Sequence, residues 1–334
     1  MRLRIQRSAL QFTALLAAFL AVPVEAASLL HVSFDITREV FADINTAFET
    51  EWRSNHASGI TVRQSHGGST KQARAVIDGL GADVVTMNQA TDLDQIARLG
   101  KGRIPADWRT LLPHRSTPFG STIVFLVRKG NPKGIRDWSD LAKPGVEVVF
   151  PNPRTSGNGR YSLLAAYGAE LRRTGGDTNA AEELVATLVR RAPVLDTGGR
   201  AATTTFVERR VGDVLLSFEA EVALVARDSR NQEFEVVVPP VSIRADFPAA
   251  VVSRRDATSE DREAAQAYAR FLFSPTAREI FVRHGFRPPT EVSVPSESKP
   301  TLLDPDADFG GWPAIQERFF AQGSLLDRIQ ERRR

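Results

Sequence analysis

The stretch Gln64-Ser65-His66-Gly67-Gly68-Ser69-Thr70-Lys71-Gln72 decides the fold. It follows a strand-like run at residues 59–62 and precedes a segment with apolar residues at helical spacing, namely Ala73, Val76, Ile77 and Leu80. Two glycines permit a tight turn, and Ser69 with Gln72 matches a capping box at a helix start. A strand that enters a helix through such a turn offers free N–H groups to an anion. Taken alone, the pattern also fits an ordinary strand-to-helix turn.

The N-terminal residues 1–26 have the composition of a secretory signal peptide. Three arginines precede an apolar run at residues 12–22, and Val24 and Ala26 are small residues at the −3 and −1 positions of a cleavage site. The apolar run is short for a membrane span. The sequence has 43 Lys and Arg against 40 Asp and Glu, a net charge of +3, and removal of three arginines and Glu25 leaves +1. We therefore expect an exported protein that does not bind nucleic acid, since the dense basic block is confined to residues 332–334.

Thiol chemistry is absent because the chain contains no cysteine. The absence of disulfides in an exported protein indicates a bacterial periplasm rather than a eukaryotic secretory route. The five histidines form no His-x-x-x-His pair or other metal spacing, and no Gly-x-Ser-x-Gly elbow is found. We expect no metal, no cofactor and no enzymatic activity.

The glycine turn is one of four similar junctions between a strand and a helix. Asp35 follows a strand at residues 28–34, in which apolar residues alternate. A helix with apolar residues at helical spacing follows from residue 40, and Asp35 or Thr37 is predicted to cap its start. Ser156-Gly157 and Gly198-Gly199 precede two later helices. Further strands are predicted at residues 146–150, 212–218 and 247–252. In open parallel α/β sheets, ligands lie outside the carboxyl ends of the strands. Four junctions in two α/β halves thus predict a two-lobed protein with one anion in its cleft.

The chemistry of these junctions indicates which anion fits. They supply neutral N–H and hydroxyl donors, and hydrogen bonds to a charged group contribute about 1.5–3 kcal/mol each. Such a site suits a fully ionised anion such as sulfate. A protonated phosphate would place an O–H group against a donor, at a cost of about 1–3 kcal/mol.

From about Leu29 to its end, the chain resembles the periplasmic sulfate-binding proteins of sulfate/thiosulfate ABC transporters. The segments that carry the resemblance are residues 32–39, 64–69, 82–86, 104–108, 121–133, 151–157 and 203–209. The resemblance implies the type II periplasmic binding protein fold, an α/β fold of two lobes with two crossover strands that form a hinge. It implies a signal peptide at 1–26, a first lobe at 27–118, a second lobe at 119–243, and a return to the first lobe with a C-terminal helix and tail at 244–334.

The resemblance also implies which residues contact the anion. The matching positions are the amide of Asp35, Ser69, Ser156, Gly157 and Gly199. Two positions depart from the family pattern. Asn158 replaces a second glycine but keeps its backbone N–H, and Phe218 replaces a tryptophan whose indole N–H donates to sulfate. Loss of that donor is expected to cost about 1–3 kcal/mol unless another group or a water molecule replaces it.

We therefore expect a monomeric periplasmic solute-binding protein that delivers sulfate, or thiosulfate, to the membrane permease of an ABC transporter. Phosphate or molybdate is the alternative ligand within the same class. From other classes, the alternatives are an enzyme acting on a sulfate or phosphate ester, and a sensory binding domain.

Overall fold

The computed structural model describes residues 27–227, 233–289 and 300–331. The predicted signal peptide and the last three arginines lie outside the described residues. The strands are β1 Ala27–Phe34, β2 Ile60–Gly67, β3 Val84–Thr86, β4 Phe119–Ser121, β5 Ile123–Arg128, β6 Val148–Val149, β7 Val214–Phe218, β8 Phe234–Val237, β9 Val241–Ile243, β10 Ala245–Phe247, β11 Ala249–Val251 and β12 Thr301–Leu303. The helices are α1 Arg38–Asn55, α2 Ser69–Ile77, α3 Ala90–Leu99, α4 Pro113–Ser116, α5 Gly157–Arg173, α6 Thr178–Arg191, α7 Gly199–Val207, α8 Glu219–Arg227, α9 Ser259–Phe271, α10 Pro275–Arg283, α11 Pro305–Phe309, α12 Gly311–Ile315 and α13 Leu325–Glu331.

The first sheet has the strand order β11-β3-β1-β2. Strands β1, β2 and β3 are parallel, and β11 is antiparallel to β3. Successive residues face opposite sides of a sheet, so Val84 joins one hydrophobic cluster and Val85 the other. Helix α1 covers one face, with Phe41 and Phe48 buried, and α2 and α3 cover the other. The carboxyl ends of β1, β2 and β3 therefore open at the same edge.

The second sheet has the strand order β6-β7-β5-β8. Strand β7 is parallel to β6 and antiparallel to β5, whose apolar residues Ile123 to Val127 are all buried. Helix α5 lies on one face, and α7 and α8 lie on the other. Each sheet has helices on both faces, and this three-layer packing makes two lobes of the α/β class.

The chain passes between the sheets twice, through β4 and back through β10. These two crossover strands pair with each other antiparallel, with Gly120 opposite Asp246. A Cβ on Gly120 would lie 2.5 Å from the carbonyl oxygen of Ala245, so glycine permits the close approach of the two strands. The two-lobed fold with two crossover strands is thus confirmed. The predicted single strand at residues 247–252 is wrong, because Pro248 divides it between the crossover pair and the first sheet.

The C-terminal residues lie against the second lobe. Strand β12 pairs with β9, and α13 packs on α6. The guanidinium of Arg160 in α5 donates to Gln316 Oε1 at 3.1 Å, and Arg318 donates to the Tyr167 hydroxyl. We retain 27–118, 119–243 and 244–334 as proposed boundaries, with the C-terminal helices placed on the second lobe. None of the helices in the described part of the chain is both long and apolar enough to cross a bilayer.

Candidate functional site

The four predicted junctions come together where the two lobes meet. A Cβ on Gly68 would lie 2.5 Å from the carbonyl oxygen of Thr197 and 2.6 Å from that of Thr155. A Cβ on Gly198 would overlap the carboxylate of Asp35. The turns of the first lobe therefore touch both turns of the second lobe, and the cleft between the lobes is closed.

Asp35 follows β1 and begins a short 3-10 helix at Asp35–Thr37. Its Oδ2 accepts a hydrogen bond from the backbone N–H of Arg200 at 3.0 Å. Burial raises the pKa of Asp35, although the Arg200 N–H and guanidinium oppose the shift. The carboxylate therefore satisfies a free N–H at the start of α7, in the other lobe. The prediction that Asp35 or Thr37 caps α1 is wrong, because Thr37 precedes α1 without a side-chain capping bond and its hydroxyl donates to the Phe34 carbonyl.

Ser69 is buried at the start of α2, but it does not cap the helix. Its hydroxyl donates to Asp92 Oδ2 at 2.6 Å and accepts from the backbone N–H of Asn88 at 3.1 Å. The predicted capping box is wrong: Gly68 occupies the N-cap position, and Gln72 Nε2 donates to Ser65 Oγ at 3.2 Å. Because the Ser69 hydroxyl proton is engaged by Asp92, the group that Ser69 can offer an anion is its backbone N–H.

Ser156 and Gly157 form the start of α5 at the end of a loop from β6. Ser156 is the N-cap residue, is 1% exposed, and makes no capping bond with its hydroxyl. The first backbone N–H of the helix with a carbonyl partner is that of Arg160, which donates to Ser156 O at 3.3 Å. The N–H groups of Gly157 and Asn158 precede it and have no acceptor within the helix. A Cβ on Gly157 would overlap Asn88 Oδ1 from the first lobe, so any larger residue would have to displace the Asn88 carboxamide when the cleft is closed.

Gly199 is the first residue of α7 and lies between the two lobes. The first intrahelical bond of α7 runs from Ala202 N–H to Gly198 O at 3.2 Å. A Cβ on Gly199 would lie 2.9 Å from Ile36 Cγ2 of the first lobe and 3.1 Å from Asn158 Nδ2. The free N–H end of α7 therefore adjoins the start of α5 and the residues that follow β1.

Phe218 ends β7 and is fully buried. Its ring centroid lies 5.7 Å from that of Tyr161 in α5 and 5.0 Å from that of Phe247 in the crossover strand β10. Phe247 in turn contacts Phe34, the residue before Asp35, at 4.8 Å between centroids. Phe218 thus belongs to an aromatic cluster beneath the junctions, and its side chain has no hydrogen-bond donor.

Sequence reasoning missed the junction between β3 and α3. Asn88 lies against Gly157 and is 2% exposed, and its Oδ1 has no hydrogen-bond partner within the described ranges. Asp92 is fully buried, which raises its pKa, and accepts hydrogen bonds from Ser69, Thr70 and Gln89. The sequence signal that could have indicated this junction is the polar pair Asn88-Gln89, which comes just after an apolar strand.

A cluster of charged groups across the lobes was also missed. Arg200 donates to both carboxylate oxygens of Glu39 in α1, at 2.7 and 2.8 Å, and to both of Glu221 in α8, at 2.9 and 3.1 Å. Burial raises the pKa of Glu221 to about 7, against the opposing effect of Arg200. Burial lowers the pKa of Arg200, but the hydrogen bonds and charges of the two glutamates together outweigh it and raise that pKa above its usual value.

The chemistry of the site follows from these contacts. The starts of α2, α5 and α7 meet, and each carries free N–H groups and a partial positive charge. Residues 27–227, 233–289 and 300–331 contain no group of three or more His, Asp or Glu side chains placed to hold a metal ion. The arrangement can therefore bind a small anion by hydrogen bonds from the backbone.

Comparison with known proteins gives consistent matches. The family model of bacterial extracellular solute-binding proteins matches residues 33–287. A thiosulfate-binding protein of Pseudomonas aeruginosa is 47% identical over 305 residues, which cover 90% of this chain and 91% of that protein. A sulfate-binding protein of Escherichia coli is 44% identical over 91% of this chain and 93% of its own length. The solved structure of the sulfate-binding protein SubI from Mycobacterium tuberculosis superimposes with a TM-score of 0.77 at 32% identity, over 88% of this chain and 100% of that chain.

Proposed function

The chain belongs to the bacterial extracellular solute-binding proteins, and from that premise we propose that it captures sulfate or thiosulfate between its lobes and delivers the anion to the permease of an ABC transporter. We further propose that it works in the periplasm as a monomer, without a cofactor and without enzymatic turnover. The names of its relatives support this ligand class.

One observation carries the proposal. The starts of α2, α5 and α7 come from different parts of the chain and meet across the closed cleft at Gly68, Gly157 and Gly198. Each helix start attracts anions because its first N–H groups lack partners. Three such ends at one point would repel one another electrostatically, and a bound anion would remove that repulsion.

The proposed contacts are the backbone N–H groups of Asp35, Ser69, Gly157, Asn158 and Gly199, and the hydroxyl of Ser156. The Ser156 hydroxyl is suited to this role because it is buried and makes no capping bond. Each hydrogen bond to a charged oxygen contributes about 1.5–3 kcal/mol, so several of them can offset the loss of the anion's hydration. Phe218 is proposed to line the site without donating.

The carboxylates near the site support a fully ionised ligand. Asp35 accepts the N–H of Arg200, and Asp92 accepts the hydroxyls of Ser69 and Thr70. A protonated oxyanion needs an acceptor for its own O–H. A carboxylate has about four lone-pair sites, so these protein hydrogen bonds reduce the acceptors open to such a ligand but do not use them up. Sulfate and thiosulfate carry no proton near neutral pH, so they match a site of donors.

The experiment is calorimetric titration of the protein recovered from the periplasm of cells that express the full chain. The protein is freed of bound ligand by unfolding and refolding, then titrated with sulfate, thiosulfate, phosphate and molybdate. We expect sulfate or thiosulfate to bind at least ~100-fold tighter than phosphate, which corresponds to about 2.7 kcal/mol. Equal binding of all four anions, or tight binding of phosphate alone, would contradict the proposal.

The Ser156→Ala variant tests the site itself. Loss of one hydroxyl donor to a charged oxygen should weaken sulfate binding by ~10- to 100-fold. The matched control is Ser54→Ala, since Ser54 is exposed near the end of α1 and donates only to the carbonyl of Glu51. If both variants bind sulfate as the wild type does, Ser156 is not a ligand contact.

A further inference from the structure

We propose that the side-chain carboxamide of Asn158 donates a hydrogen bond to the bound oxyanion, in addition to the backbone N–H of the same residue. This inference rests on the proposed function and names a specificity-determining group of that site. The Asn158 carboxamide would supply a hydrogen-bond donor to the anion where Phe218, in place of a tryptophan, has none.

Asn158 is placed to reach the ligand. It is the second residue of α5 and is 1% exposed. Its Nδ2 would lie 3.1 Å from a Cβ on Gly199, so the carboxamide is next to the free end of α7. The side chain thus lies between two of the three helix starts that meet at the site.

The carboxamide has one hydrogen bond to give. Nδ2 carries two N–H bonds, and one is directed to Ser217 Oγ at 3.1 Å. No second acceptor for Nδ2 is found among the residues that the structure describes. A buried N–H group without a partner costs about 1–3 kcal/mol, and an oxyanion beside Gly199 would supply the missing acceptor.

Two neighbours hold the carboxamide in this orientation. Ser217 directly precedes Phe218 at the end of β7, and Ser162, one turn further along α5, donates from its hydroxyl to Asn158 Oδ1 at 3.4 Å. With Oδ1 and one hydrogen of Nδ2 engaged on the protein, one N–H of the carboxamide is left to donate. A rigid donor of this kind needs little reorganisation when the anion arrives.

The test compares Asn158→Ala and Asn158→Asp by calorimetric titration with sulfate. We expect the alanine variant to bind ~5- to 50-fold more weakly, because a single donor is lost. The aspartate variant should bind more than ~100-fold more weakly, because a carboxylate of the same shape would face the anion. Matched controls are Asn179→Ala and Asn179→Asp, since Asn179 is the exposed second residue of α6. These should bind as the wild type does.

A second measurement separates a ligand contact from a structural role. In ¹⁵N-labelled protein, sulfate should shift one of the two Asn158 side-chain N–H resonances downfield and leave the other nearly unchanged. Wild-type affinity in both Asn158 variants, or equal losses in both with lowered melting temperatures of the ligand-free proteins, would overturn the inference. The proposed function would survive that result, because it is tested separately by whether the wild type prefers sulfate or thiosulfate to phosphate.

Discussion

Arg200 at the start of α7 forms a bidentate ion pair with Glu39 in α1, with nitrogen-to-oxygen distances of 2.7 and 2.8 Å. The two residues are 161 positions apart and belong to different lobes. The same guanidinium also holds Glu221, while the backbone N–H of Arg200 donates to Asp35. The start of α7 is therefore tied to the first lobe by both its side chain and its backbone, so this contact forms only when the cleft is closed.

Glu39→Gln should speed the release of the anion. The variant keeps the shape of the side chain but removes the charge that pairs with Arg200 across the lobes. Exposed pairs contribute about 0–1 kcal/mol, and a bidentate pair in a network contributes at the upper end, so we expect a ~3- to 5-fold faster dissociation rate. Stopped-flow displacement of bound sulfate measures it. The control is Asp78→Asn, which removes the exposed pair with Arg74 within the first lobe. An unchanged rate in Glu39→Gln would show that the pair does not stabilise the closed form.

Gly68→Ala should prevent full closure. The added methyl group would lie 2.5 and 2.6 Å from two carbonyl oxygens of the second lobe, those of Thr197 and Thr155. Neither oxygen belongs to a flexible side chain, so the lobes must stay apart, and sulfate affinity should fall by at least ~100-fold. Calorimetry measures the affinity, and small-angle scattering measures whether sulfate still makes the protein more compact. The control is Gly81→Ala, whose methyl group would lie 3.9 Å from the Arg254 side chain. Normal compaction in Gly68→Ala would contradict the closed arrangement.

Ser69→Ala should affect stability more than Ser156→Ala does, and affinity less. The Ser69 hydroxyl donates to the fully buried carboxylate of Asp92, whereas the Ser156 hydroxyl caps nothing. Removing a donor from a buried carboxylate should lower the free energy of unfolding by about 1–3 kcal/mol. Urea unfolding of the two ligand-free variants gives the stabilities, and calorimetry gives the affinities. The reverse order, with Ser69→Ala stable but unable to bind, would indicate that the Ser69 hydroxyl turns toward the ligand.

Glu221 should make the protein less stable as the pH rises from about 4.5 to 7. Burial raises the pKa of Glu221 from its ordinary 4.5 to about 7. In that interval the folded protein keeps a proton that the unfolded chain has lost, so the free energy of unfolding falls with increasing pH. Glu221→Gln cannot lose this proton, and its stability relative to the wild type should therefore increase across the interval. Urea unfolding at pH 5, 6, 7 and 8 tests this, with the exposed Glu279→Gln in α10 as control. Parallel profiles for Glu221→Gln and the wild type would refute the effect.

The elements that were predicted correctly are those whose sequence pattern involves only neighbouring residues. The alternation of apolar residues predicted β1, and helical spacing predicted α1 and α2, because both patterns depend on which face of one element is buried. The positions of the turns at Gly68, Gly157 and Gly199 were likewise predicted from their own residues. The strand at residues 247–252 was predicted as one piece, since its apolar run does not reveal that Pro248 separates a crossover strand from a sheet strand.

The predicted partners of the site residues were less accurate for a related reason. Ser69 was expected to form a hydrogen bond within its own turn, yet its hydroxyl donates to Asp92, 23 residues further along the chain. Asp35 was considered as a cap for the helix that follows it, yet it satisfies the N–H of Arg200, 165 residues away. In both cases a buried carboxylate, that of Asp92 or of Asp35, takes a hydrogen bond from a distant donor. Whether a carboxylate is buried beside that donor depends on how whole helices pack.

By itself, the sequence determined the two α/β halves, the four glycine and serine junctions, and the class of group that they expose, because periodicity and turn chemistry act over a few neighbouring residues. The tertiary structure decided which junctions touch, which hydroxyls remain free, and that Arg200, paired with Glu221 within its own lobe, links the two lobes through Glu39. Those outcomes depend on distances between atoms far apart in the chain, and only the packing of the two lobes sets such distances.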